Sequence, residues 1–111
     1  MLISEYYANA ILNYTRAGTT FSVTPHLALL TVMPAWETAS VSGLEVSGGS
    51  YARTAVTFGS AADNGRILNT AAVTFPAPTA DWGPVGTPII CVALMDASSS
   101  GNWLLAQPIC A

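Results

Sequence analysis

The side chains that most often carry enzymatic chemistry are scarce in this chain. His26 is the only histidine, and it opens an apolar run, where a hydrogen-bonded or edge-exposed ring is expected rather than a general base. No lysine is present to form a Schiff base or clamp a phosphate. No G-x-S-x-G elbow positions a serine nucleophile. The acids Glu5, Glu37, Glu45, Asp63, Asp81 and Asp96 are scattered, with no carboxylate pair at motif spacing, no EF-hand loop and no H-E-x-x-H. Val46-Ser47-Gly48-Gly49-Ser50 is glycine-rich but does not open a helix, so it lacks the N-terminus on which phosphate loops depend. Cys91 sits in the apolar run Ile89–Met95 and reads as a core thiol, and Cys110 is penultimate. A Cys91–Cys110 disulfide is the alternative, but two cysteines and one histidine at these spacings match no zinc motif. Trp36, Trp82 and Trp103 could form a sugar platform, although aromatic rings more often pack cores and interfaces. The expectation is no catalytic residue, no cofactor and no metal.

The elements that must carry these residues are a helix followed by strands. Ser4 to Ala17 predicts a helix, with Ser4 as N-cap, Glu5 at its positive end and Gly18 at its stop. Tyr7, Ala10, Ile11 and Tyr14 share one face, and a helix of about three turns must pack that face against the core. Extended segments are predicted over His26–Met33, Tyr51–Phe58, Arg66–Phe75, Thr87–Met95 and Asn102–Pro108. The last two are joined as a hairpin through Asp96–Gly101. The fold class is mainly β: a compact antiparallel β-sandwich or small barrel with one N-terminal α-helix, forming a single domain over residues 1–111. The loops Pro34–Ser50 and Pro76–Gly86 are long, and loops of such length are usually functional or disordered.

Composition narrows the class of function. The 111 residues are 51% hydrophobic and only 8% charged, against roughly 25% charged in an average domain. A chain so apolar is not disordered. Three arginines offset by six acids make no basic stripe, which argues against nucleic acid. The apolar runs Leu27–Met33 and Pro88–Met95 have strand length, and Ala17–Trp36 is broken by Gly18, Pro25 and Pro34, so no membrane-spanning helix is expected. No basic n-region or uninterrupted apolar segment marks a signal peptide. A surface this poor in charge suits permanent contact with neighbouring protein, and a surface made polar by Ser and Thr is the alternative.

Glu45–Phe58, reading EVSGGSYARTAVTF, resembles a signature of small tailed-bacteriophage structural proteins, the tail-fibre-like or gp80-like family. It is followed in order by Asn69–Phe75, the Ala80–Gly83 turn, Val92–Ala97 and Gly101–Leu105, and preceded by the helix and Leu27–Thr31. The resemblance covers nearly the whole chain and implies a virion protein without catalysis. Absence of repeats and of a shaft favours a capsid decoration or cement protein, a homo-oligomer with a trimer favoured, bound to the major capsid protein. The alternative is a tail component (tip, tube-end or adaptor) bound to tail proteins, and a carbohydrate- or receptor-binding module stands behind both. Candidate interface residues are Met1, Leu2, Ile3, Tyr6, Trp36, Arg53, Pro108, Ile109 and Cys110. Within the signature, Gly48 and Gly49 are expected to supply a left-handed turn, Asp81 to cap the turn at Trp82-Gly83, and Arg53 to project as a surface ion-pair donor.

Overall fold

A computed structural model of the chain describes residues 1–60, 65–83 and 87–109. Strand β1 (Leu2–Ile3) is followed by helix α1 (Glu5–Ala17), β2 (His26–Leu30), β3 (Thr54–Ala55), β4 (Cys91–Met95) and β5 (Trp103–Pro108). The strands form one antiparallel sheet in the order β1-β5-β4-β2-β3. The mainly β class with a single N-terminal helix is therefore what the chain adopts.

The sheet presents two rows of contrasting size. Ala28, Ala93 and Ala106 lie in register across β2, β4 and β5, with Leu2 beside Ala106 on β1. These alanines are buried together with Leu30, Cys91, Met95, Trp103 and Val41, while Met33 and Leu44 pack against them. The cover on this face is the long 34–50 loop, which bridges to β2 at Leu30–Glu45 and binds back through Thr31 N–H to Leu44 O (2.9 Å) and Trp103 N–H to Ala39 O (2.9 Å). This loop is thus a structural lid over the core. Small residues in the row beneath it let backbone approach backbone. On the opposite face Leu27, Leu94, Leu105 and Ile3 lie in register, a row of large apolar side chains across four strands.

Helix α1 begins and ends as its sequence requires. Ser4 is fully buried, and its hydroxyl accepts from Tyr7 N–H (3.1 Å). Gly18 closes the helix in the left-handed conformation, with its N–H on Tyr14 O (2.7 Å). The expected burial of the helix face is corrected: no residue of α1 is buried, and Ile11, Leu12 and Tyr14 are exposed. Phe21, on the returning chain, packs its ring against Tyr6 and Tyr7 (ring centroids 5.9 and 5.6 Å).

Four extended segments are shorter than their patterns suggest, Thr87–Met95 among them, which joins the sheet only over Cys91–Met95. The expected strand His26–Met33 leaves the sheet after Leu30, where Thr31 turns to the lid. Tyr51–Phe58 contributes only Thr54–Ala55, because Tyr51 and Arg53 are engaged by side-chain bonds described below. Arg66–Phe75 meets its neighbour at one bridge, Phe58–Asn69. The β4–β5 hairpin forms as expected, with a register shift at Leu94/Met95.

Candidate functional site

The signature segment folds around a half-buried ion pair. Arg53 Nε and Nη2 each donate to the Glu45 carboxylate at 2.8 Å, and the two side chains are 5% and 19% exposed. Arg53 Nη1 reaches across to Ala97 O (3.0 Å) and Ser100 O (2.7 Å) in the β4–β5 loop. Tyr51 Oη donates to Glu45 (2.6 Å) and accepts from Leu29 N–H on β2 (3.1 Å). One carboxylate thereby ties together the signature, β2 and the hairpin loop.

Burial pushes the Glu45 carboxyl up, but hydrogen bonds from Arg53 and Tyr51 and the Arg53 charge outweigh it, holding the group below its ordinary value. Burial and then the bond to Glu45 push the Tyr51 phenol up. The bond to Glu45 raises Arg53 further against the opposing effect of burial. All three thus stay in the protonation states that hold the cluster together. Arg53 is the ion-pair donor expected of it, but its guanidinium is bonded inside the chain instead of standing free on the surface.

The glycine pair works as expected. Gly48 and Gly49 have φ of 82° and 55°. A Cβ on Gly49 would stand 2.3 Å from Ala80 O and 2.8 Å from Trp82 Cδ1. The Trp82 indole closes over this turn, donating through Nε1 to Gly49 O (2.8 Å) and meeting Tyr51 edge-on at 5.2 Å. Asp81 is exposed, and among the described residues its carboxylate takes no hydrogen bond, so the expected cap is not seen there. Gly83 follows Trp82 in the bend.

The three tryptophans do not gather. Trp103 is fully buried with its indole N–H on Thr38 O, Trp82 covers the glycine turn, and Trp36 is 41% exposed. The sugar platform expected of the three is therefore not formed. His26 Nδ1–H donates to Thr24 O (2.9 Å). The Cys91 thiol is buried, and burial pushes its ionisation up. Among the described residues, no three His, Cys, Asp or Glu side chains gather as a metal set.

The candidate interface residues fall mostly along one edge. β1 pairs Leu2 with Ala106 and Ile3 with Leu105, bringing the start of the chain alongside β5, which ends at Pro108. Met1, Ile3, Tyr6, Pro108 and Ile109 are exposed there, while Leu2 packs toward the core. Trp36 O accepts from Glu5 N–H (2.9 Å), which puts that loop beside the same edge. Cys110 lies outside the described residues, as does any pairing of it with Cys91.

A feature the motif search missed lies on the outer sheet face. Leu27, Val92, Leu94 and Leu105 floor an open groove of about 470 Å³, walled by Tyr7, Phe58 and Ile67. The signal was present in the runs Leu27–Met33 and Ile89–Met95, which are apolar at nearly every position instead of alternating. Unbroken apolar runs belong to strands covered on both faces.

No match was found among curated proteins. The family model described as Podophage GP4 fiber I protein gp80 matches residues 2–111. With a cross-bonded, internally satisfied signature and nearly its full length within that match, the chain belongs to the Podophage GP4 fiber I protein gp80 family, a family of bacteriophage virion structural proteins.

Proposed function

We propose that the protein is a non-catalytic structural subunit of the virion's tail, in the fibre apparatus, working through protein–protein contacts as a homo-oligomer. The observation that carries this reading is the match to a fibre-protein family over residues 2–111. The signature agrees with it in kind. Its polar groups are spent on one another, with Glu45, Tyr51 and Arg53 bonded among themselves and to main-chain groups of β2 and the hairpin loop, which leaves a rigid body rather than a reactive centre.

Capsid decoration is the second reading. It is favoured by a β-rich body with few charged residues, a surface suited to seating between neighbouring subunits. A decoration protein would bind across capsomer joints and stabilise the assembled shell by mass action. Quantitative mass spectrometry of purified virions against the major capsid protein, with immunogold labelling, separates the two. The tail reading predicts a few dozen copies or fewer and label confined to tails. Copies comparable in number with capsid subunits and label over heads would favour decoration. A protein missing from purified particles would overturn both readings.

A further inference from the structure

The outer face of the sheet carries the larger apolar row, Leu27–Leu94–Leu105–Ile3, and among the described residues its leucines are only half-buried, at the floor of an open groove walled by Tyr7, Phe58 and Ile67. Nearby, the stripe Tyr7–Ile11–Tyr14 runs along α1. Tyr7 forms part of the groove wall, while Ile11 is 46% and Tyr14 62% exposed. The two features are continuous through Tyr7. A helix of 13 residues with no buried side chain lacks the packing that stabilises short helices in water. Groove and stripe are alike in bearing no charged side chain, so two copies of a chain with net charge −3 meet there without facing like charges.

The exposed area leaves room for a partner. The chain exposes 6916 Å², whereas a monomeric protein of its mass exposes about 5,800 Å². The excess, roughly 1,100 Å² per chain, exceeds the ~800 Å² per partner of a standard interface. The radius of gyration, 14.8 Å, is likewise above the ~13 Å expected for this length.

We infer that the outer sheet face is an interface between copies of this chain, in which the Tyr7–Ile11–Tyr14 stripe of one copy's α1, exposed at Ile11 and Tyr14, lies against the Leu27–Leu94–Leu105 row of the next. One contact then covers both unpartnered features, by the helix-in-groove mode whose anchors recur at i, i+4 and i+7. Stripe and groove adjoin at Tyr7, so a two-fold dimer satisfies the contact reciprocally and a closed ring satisfies it head-to-tail. This deepens the structural-subunit reading and rests on it for the assembled state, but it is independent of where in the virion the protein sits.

The test uses the full-length protein at tens of micromolar in sedimentation equilibrium and native mass spectrometry. The inference expects a wild-type mass that is a multiple of 11.5 kDa. Ile11→Glu combined with Tyr14→Glu, and separately Ile67→Glu at the groove wall, are expected to give the monomer mass with an unchanged circular dichroism spectrum. Val32→Glu, exposed but outside both surfaces, is expected to keep the wild-type mass. A benzoylphenylalanine placed at position 11, in a mixture of ¹⁴N- and ¹⁵N-labelled subunits, is expected to cross-link between isotopically different chains and into the peptides holding Leu94 or Leu105. That readout holds even if a glutamate variant fails to fold. A monomeric wild type would assign the face to another protein and overturn the inference. So would an oligomer indifferent to both groups of variants, or cross-links confined to one chain. None of these outcomes alters the copy number in virions, which tests the wider reading separately.

Discussion

Arg53 and Glu45 bear more of the fold than their exposure class in the sequence suggests. Removing one member of a half-buried, hydrogen-bonded pair leaves the other charge without its partner, and hydrogen bonds to charged groups are worth about 1.5–3 kcal/mol. Arg53→Met is therefore expected to destabilise the chain by about 2 kcal/mol, lowering the thermal midpoint by on the order of 10 °C, as read by circular dichroism. The same pair sets an acid dependence. Glu45 titrates below its ordinary value in the folded chain, so its stabilisation is complete above the ordinary glutamate range of about 4.3 and fades as pH falls below it. Denaturant midpoints measured through this range should drop for the wild type, and Arg53→Met should flatten that contribution. The glycines separate conformation from contact. Gly48→Ala meets nothing nearer than 3.8 Å and bears only the left-handed cost of about 1–2 kcal/mol. Gly49→Ala adds a collision with Ala80 O and the Trp82 ring, so it should lose clearly more in the same denaturant titration. Equal losses would deny Trp82 its role over the turn.

Helix α1 shows which parts of an element its own sequence can dictate. Both ends were legible because caps are local: Ser4, Glu5 and Gly18 act within a turn of themselves. Its burial was not legible, since an apolar stripe at i, i+4 and i+7 states that the face wants cover without naming what provides it. Ser4→Ala is expected to cost about 1–2 kcal/mol in equilibrium unfolding, because the substitution removes the acceptor for Tyr7 N–H at a fully buried position. The hairpin of β4 and β5 was likewise legible from two apolar runs joined by Asp-Ala-Ser-Ser-Ser-Gly. Tyr51–Phe58 was not, although it alternates. Side-chain bonds from Tyr51 and Arg53 to residues 29, 45, 97 and 100 hold that backbone, and only Thr54–Ala55 joins the sheet. Contacts so distant along the chain leave no periodic trace. The lid over the alanine row is of the same kind, a long loop recognised by length whose structural task depends on Val41 and Leu44 meeting residues of β2 and β4.

Nine charged residues among 111 acquire a physical meaning in the whole molecule. Arg53 and Glu45 are withdrawn into the fold, which depletes the surface further. What the surface offers instead is apolar: the outer leucine row, the far turns of α1, and the edge where Met1, Ile3 and Ile109 lie. Contiguous apolar patches of this kind are where contacts with other molecules are expected. The family match places the protein among phage virion components, and the fold is a body braced by the Glu45–Arg53 pair. The most direct test of this account is the stoichiometry of the protein in purified virions, measured by quantitative mass spectrometry against the major capsid protein. The account predicts a fixed copy number retained through density-gradient purification and high-salt washing, at a few dozen or fewer per particle. Complete loss of the protein from washed particles, with all of it recovered in the soluble lysate, would contradict it.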